Sequence, residues 1–460
     1  MLEYLFYLLV AFVVLTAFVN WRAALYLCIL LDILRDPLRK TPVSHSLLVA
    51  QSVNAVWAVI AMIVLSKERA RIRELIQRHR RLRVPAALIC LAILPGAAVS
   101  VVSYPRGWLL AALGGASYLA VILAVILGYC FPRGPKDASR FLGAYCLANA
   151  IAFSGALLEH FDFDMPGLGG IGVKWVRYQG KSQFDLISGF YRSPDVLGLH
   201  AATVCVFGGV LGTAGPRRTR LPWYCLVLWA AVPLLLSGRR KMIGIPFLFA
   251  ICVLWLQFRY MRRIQRSGWY TLLAAAGILA FFLISGALGM GAVYRQYAST
   301  IVIEGSDKVS VAVYQSPLES LWQSGLLGRG LGTATQGSQH ILGRPLTWQE
   351  DGGGRLFVEL GLVGAALLLL TGLVVAFHCK KVLDRTPTCE PHFQLQIGLA
   401  SLLLANAACF LVSHQAFSGD PWNMGTVLFC LGLLLSFPAQ PPARPRSIPR
   451  KPRALELAEP

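Results

Sequence analysis

The chain has 460 residues, of which 56% are hydrophobic and only 14% charged. A soluble domain carries about 25% charged residues, so this chain has too little polar surface for a water-soluble fold, and most of it must face lipid or other helices. The net charge of +21 is set in short basic clusters between apolar runs. That pattern follows the positive-inside rule and argues against a nucleic-acid partner, for which no RNA-binding motif or aromatic-basic stripe is present.

The first apolar run, Leu5 to Val19, has no basic n-region and no small-residue cleavage site, and reads as a retained helix. A spanning helix requires about 20 apolar residues. Runs near that length lie at 3–19, 44–66, 85–103, 107–131, 139–158, 196–214, 221–237, 241–258, 269–289, 355–377, 393–412 and 422–437. A shorter run, 23–34, contains Asp32 and ends at Arg35-Asp36-Pro37; it is either a thirteenth span or a re-entrant piece. The expected fold is all-α: a polytopic transmembrane helix bundle of about 12–13 spans over residues 1–437. The Pro-rich basic stretch 438–460 is expected to be a disordered cytoplasmic tail.

Basic clusters at 67–83, Arg133–Arg140, Arg217–Arg220, Arg259–Arg266 and Lys380–Arg385 alternate with the spans when all are placed in the cytoplasm. Segment 67–83 reads as an amphipathic basic helix, lying on the anionic inner leaflet or simply solvated. The opposite face, periplasmic in a bacterial inner membrane, then receives two long polar loops, 159–195 and 290–354, and two short ones, 237–241 and 413–421. The larger is expected to carry short helices. Long structureless loops are uncommon unless functional. The eleven cysteines fall mostly in apolar runs without a CxxC, so neither a metal site nor a disulfide framework is indicated.

The residues that attract notice all lie on that face. Ser237-Gly-Arg239-Arg240-Lys241 puts three cations where the positive-inside trend disfavours them. Arginine suits bidentate phosphate binding, whereas the structural alternative is snorkelling to lipid headgroups. The first long loop ends Tyr191-Arg192-Ser-Pro-Asp195 directly before a span; Asp195 is a candidate N-cap, but Arg192 has no such structural reason. Lys174, Arg177 and Lys181 either attract an anionic ligand or are only solvated. In Gly328-Arg329-Gly330-Leu-Gly332-Thr333 the glycines form an anion-binding nest or a tight turn. The loop closes with Glu350-Asp351-Gly-Gly-Gly-Arg355, then Glu359. Either adjacent carboxylate is a candidate general base, with helix capping the competing role of Asp351. Glu359, inside an apolar span, shares a face with Arg355 and forms a structural ion pair with it or takes part in catalysis. His414 and His340 are candidate proton carriers or structural residues.

Several of these pieces, in this order, resemble the O-antigen ligase / O-antigen polymerase family of bacterial surface-glycan enzymes. Leu-Leu-Leu-Ser237-Gly-Arg-Arg240 is similar to the family's Leu-Thr-x-Ser-Arg element, and Ser-Pro-Asp195 to its Asn-Pro-Asn. Gly328-Arg-Gly330-Leu-Gly332-Thr333 resembles its Gly-x-Gly-x-Gly stretch, and Glu359-Leu-Gly361-Leu-Val-Gly364 its Glu-x-Gly-x-x-Gly helix start. The resemblance covers about 190–370. It implies transfer or polymerisation of glycan from an undecaprenyl-diphosphate-linked donor onto a glycan or lipid acceptor, at the periplasmic face of the bacterial inner membrane, with no cofactor and no metal. By carry-over Arg240 holds the diphosphate and Arg192 is a second donor cation. Arg239, Arg329, Arg355, Glu359 and His414 are further substrate-binding candidates. Where the family has a His-Asn pair before the Glu, this chain has Glu350-Asp351, so a carboxylate takes the base role or the site is degraded. A divergent exopolysaccharide polymerase is the expectation. A lipid-linked oligosaccharide flippase and a non-catalytic part of a glycan-assembly complex are the alternatives.

Overall fold

The computed structural model describes residues 2–40, 47–134, 136–171, 175–179, 182–262, 264–287, 309–335, 337–343, 351–388, 392–413 and 421–437. Among them nine helices are long and apolar enough to cross a membrane, as in a multi-pass membrane protein but fewer than the 12–13 spans expected; two further apolar helices, Gln51–Lys67 and Met424–Ser436, are shorter. In chain order the helices are α1 (Leu2–Arg39), α2 (Leu47–Lys67), α3 (Arg69–Arg78), α4 (Arg83–Ser103), α5 (Gly107–Cys130), α6 (Asp137–Ala152), α7 (Ser154–His160), α8 (Pro194–Ala214), α9 (Arg217–Leu236), α10 (Arg240–Met261) and α11 (Arg266–Ala287). Then come α12 (Ser316–Ser324), α13 (Ser338–Leu342), α14 (Gly352–Arg385), α15 (Phe393–Phe410) and α16 (Pro421–Ser436). A two-stranded antiparallel hairpin, β1 (Val176–Gln179) and β2 (Ser182–Asp185), interrupts the first long loop. The all-α expectation did not include it.

The ambiguous run at 23–34 is helical. α1 continues through it and bends sharply at Asn20, whose φ of −144° and ψ of 89° are not helical. The Asn20 side chain accepts from the backbone N–H groups of Arg22 and Ala23, replacing ladder bonds lost at the bend.

One end of the bundle is a collar of arginines that grip helix C-termini. The last carbonyls of a helix have no partner in their own ladder, and cations complement the negative end of its dipole. At the end of α5, Arg22 donates to the carbonyls of Cys130 at 2.6 Å and Phe131 at 2.7 Å. Arg71 donates to those of Cys130 at 2.9 Å and Pro132 at 2.5 Å. Arg78 does the same for Phe437, just past α16, at 2.5 Å. Glu68 pairs with Arg22 at 3.0 Å and accepts from the Trp21 indole. These contacts seat α3 beneath the bundle, with Leu75 buried and Ile72 against the core; of the segment 67–83 read as one amphipathic helix, only Arg69–Arg78 forms it, followed by a short turn of 3-10 helix at Arg80–Leu82.

The core runs through α8, whose spanning stretch is entirely enclosed. Small residues permit the closest approaches, since association in lipid depends on van der Waals fit more than on expelled water. A side chain at Gly128 of α5 would collide with the Phe429 carbonyl of α16, and one at Gly432 would sit 2.6 Å from the Tyr129 nitrogen. Gly128→Leu is expected to cost on the order of 3 kcal/mol through overpacking, read as a lowered melting temperature in detergent. Gly372→Leu, at a position open on all sides, is expected to leave the melting temperature unchanged.

Candidate functional site

At the end of the bundle opposite the collar, two polar groups are assembled from the residues that the sequence singles out. The first surrounds the start of α8. Ser193 caps this helix, its hydroxyl accepting from the Val196 N–H, with Pro194 in the first turn. The expected N-cap role of Asp195 is therefore corrected. Its carboxylate instead takes the Arg239 guanidinium at 2.7 Å. Arg239 sits in the turn after α9, where Gly238 has φ +65° and any side chain at that glycine would strike Leu186. The Ser237 hydroxyl donates to the Leu234 carbonyl and accepts from the Arg239 N–H, which closes the turn. The Arg239 guanidinium also lies 5.7 Å from the Trp175 ring, within cation–π reach. Arg240 opens α10; its side chain, like Glu350 and His414, lies outside the described residues.

Arg192 is tied to the end of α1. The Asp36 carboxylate accepts from the Arg192 N–H at 3.0 Å and pairs with Arg35 at 3.6 Å and Arg39 at 3.5 Å. Arg35 also meets Asp32 at 2.8 Å, and Asp32 lies 3.6 Å from Nε2 of His200 on α8. The other nitrogen of His200 is 2.8 Å from the Tyr145 hydroxyl, and its ring stacks on Tyr191. The row is buried: Asp32 is 4% exposed, Arg35 and Asp36 2%, His200 1%. Lys40, one residue past α1, donates to the Gly189 carbonyl at 2.5 Å. Glu159 receives the N–H groups of Ser188 and Gly189. Sequence reasoning noted Asp32 but missed Arg35, Asp36, Arg39, Lys40 and His200 as a group. Positions 32, 35, 36 and 39 fall on one helix face, and that spacing was the available signal; for His200 there was none.

Burial holds the Lys40 ammonium down at about 8, against the opposing pull of Asp36 and Glu159. An unfolded lysine titrates near 10.5. Between those values the unfolded chain binds the extra proton, so this group makes stability rise with pH across that window. In melting curves taken over pH 8 to 10.5, Lys40→Met is expected to flatten the rise.

The second group locks the glycine-rich stretch against α4, α5 and α14. Gly328, Gly330 and Gly332 have φ of 78°, 119° and 88°. The N–H groups between them are taken by helix carbonyls, Arg329 to Val358 at 2.7 Å and Leu331 to Gly96 at 2.8 Å. These glycines thus serve close backbone packing: a side chain at Gly328 would sit 2.6 Å from the Gly361 nitrogen. Gly361 breaks α14 with φ 67° and ψ −170°, opening the ladder where Leu326 and Gly325 supply carbonyls to Val363 and Leu362.

Glu359, with no exposed surface, accepts from Tyr118 at 2.8 Å, from Thr335 at 2.7 Å and from the Ala334 N–H at 3.1 Å, and lies 3.5 Å from Arg355. Arg355 in turn donates to Thr335 at 2.9 Å. The expected ion pair is present and anchors the loop. Asp351 caps α14, accepting from the Gly354 N–H and the Ser316 hydroxyl, each at 2.5 Å. Arg329 points to Gln323 at 3.5 Å, so it stays with this second group. Removing the carboxylate from a buried pair leaves an uncompensated charge, at about 3–5 kcal/mol. Glu359→Ala is expected to lose stability on that scale in thermal unfolding and to expose 325–343 to protease.

No family model matches the chain, and no curated protein or solved structure is significantly similar to it.

Proposed function

We propose that the chain is a bacterial inner-membrane glycosyltransferase that moves or polymerises glycan from an undecaprenyl-diphosphate-linked donor at the periplasmic face, in the manner of the O-antigen ligase / polymerase family it resembles. The observation that carries this reading is the gathering of cations at the mouth of α8. Arg239 arrives from one turn, Arg192 from the first long loop, and Arg39 and Lys40 from α1. Arg39 and Arg192 are electrostatic neighbours. Their mutual repulsion favours a bound polyanion.

In this reading the donor diphosphate replaces Asp195 on Arg239, which presents two parallel donors to it. The acceptor oxygen attacks the anomeric carbon while that carbon's bond to the phosphate oxygen breaks. Negative charge then grows on the diphosphate, where fixed guanidinium groups stabilise it. Both Asp351 oxygens are engaged, one capping α14 and the other accepting from the Ser316 hydroxyl, so the acceptor's proton is assigned to Glu350, its neighbour in sequence. Arg240 is a further diphosphate ligand, and Arg355 and Glu359 hold the large loop in place.

Arg239→Ala is expected to lower transfer from a purified lipid-diphosphate-linked glycan by about 10²–10³-fold, with Arg239→Lys intermediate. In cells, surface polymer is lost and lipid-linked repeat units accumulate. Unchanged transfer by well-folded Arg239→Ala protein would sink the proposal.

One observation favours a flippase as the second reading: the buried Asp32–Arg35–Asp36–His200 row is a charged feature of the kind a translocation path uses. Movement of labelled lipid-linked glycan across proteoliposomes without acceptor would select that reading.

A further inference from the structure

The collar end holds a buried pair of imidazoles that the proposed transfer does not use. His79, at the end of α3, and His378, on the last third of α14, meet edge to face at 83°. Nδ1 of His79 is 2.9 Å from Nε2 of His378, and Nε2 of His79 is 3.1 Å from the Leu435 carbonyl oxygen. A carbonyl only accepts, so His79 carries its proton on Nε2. Its Nδ1 is then a lone pair, which His378 must fill with a proton on its own Nε2. That leaves Nδ1 of His378 an unprotonated acceptor, on a residue 9% exposed, with no hydrogen-bond partner. Burial first, then His378 and Arg78, hold the His79 imidazole down at about 4, so it stays neutral and the proton assignment stands. A buried acceptor without a partner requires an explanation.

Its surroundings supply one. Arg81, Lys381 and Arg385 are close enough to act on the His378 ring. The nearby carboxylates are occupied elsewhere, Glu74 with Tyr129 and Asp384 with Tyr260. Among the described residues no third His, Cys, Asp or Glu completes a metal site. The flank is apolar and open, with Val84 51%, Leu373 49% and Phe377 69% exposed on helices that lie side by side. A ligand suited to this place carries a phosphate, a hydroxyl donor and hydrocarbon.

We infer that this end of α14 binds one anionic phospholipid bearing a headgroup hydroxyl, taken from the adjoining leaflet. Its phosphate lies among Arg81, Lys381 and Arg385, its hydroxyl donates to Nδ1 of His378, and its chains run along Val84, Leu373 and Phe377. Basic pockets between helices are known lipid-headgroup sites, each cation adding to the attraction for an anionic headgroup.

The test uses the full chain in phosphatidylcholine nanodiscs doped with phosphatidylglycerol or with phosphatidylmethanol, which has the same charge but no hydroxyl. Retained lipid is counted by native mass spectrometry. Phosphatidylglycerol is expected to be retained roughly tenfold over phosphatidylcholine and several-fold over phosphatidylmethanol. The combined R81Q, K381Q and R385Q variant, which keeps the histidine pair, is expected to erase the first preference. Equal retention of phosphatidylglycerol and phosphatidylcholine, or of phosphatidylglycerol and phosphatidylmethanol, overturns the inference. So does equal competition by soluble glycerol phosphate, which would assign the site to a free phosphate ester.

Discussion

The Asp36 carboxylate is where the arrangement of the site at the mouth of α8 begins. It collects the Arg192 N–H, Arg35 and Arg39 at once, with only 2% of its residue exposed. A charge so far from water is tolerated only when it is paired and hydrogen-bonded. The end of α1, the last residues of the first long loop and the entrance to α8 therefore have to settle together. Asp32 extends the same logic one turn down α1 to His200, and Lys40 extends it one residue outward to Gly189. The loop that precedes α8 is long, but its final segment is tied to Asp36, Lys40 and Glu159.

The second group solves a different problem with the same constraint. A glycine-rich strand of backbone enters a helical bundle, where each N–H and C=O needs a partner. Positive-φ glycines let the strand approach α4 and α14 closely enough for their carbonyls to serve. Glu359 then collects the next donors, the Ala334 N–H and the Thr335 hydroxyl. The break at Gly361 frees helix N–H groups for the carbonyls of Gly325 and Leu326. Strand and helix each repair the other's ladder, which is why the motif requires both its glycines and its glutamate.

Much of this was legible in the sequence. Hydropathy alone located the helices closely: the run read at 107–131 is α5, Gly107–Cys130, and that at 393–412 contains α15, Phe393–Phe410. The run at 23–34 was ambiguous because Asp32 cuts its apolar length, and pairing with Arg35 is what makes that aspartate affordable. The Arg355–Glu359 pair was legible because four-residue spacing is a local rule. Asp195 was misread as a cap because Ser193, a better one, stands two residues before it, and its true partner Arg239 is distant in sequence. The β-hairpin lies among cations read as ligand-attracting or solvated, with no strong alternation to announce it. His200 and the His79–His378 pair were not legible, since a lone histidine, whether in an apolar run like His200 or in a basic cluster like His79, carries no sign of what faces it.

The salt bridge from Asp195 to Arg239 bears on how such a site would work. At 21% and 14% side-chain exposure it is neither a free surface pair nor a sealed one. A sealed pair could not be exchanged for a ligand, because separating it would strand a carboxylate in a low dielectric. A fully exposed arginine would be solvated and mobile, so holding it in place would cost side-chain entropy at binding. The half-buried pair avoids both penalties. Asp195 keeps Arg239 oriented, with Trp175 beside it, and in the proposed transfer would yield it to a stronger polyanion. The deeper carboxylates, Asp32 and Asp36, are locked too tightly to exchange. Depth along α1 and α8 thus separates the carboxylates that lock the site from the one that the proposed exchange would use.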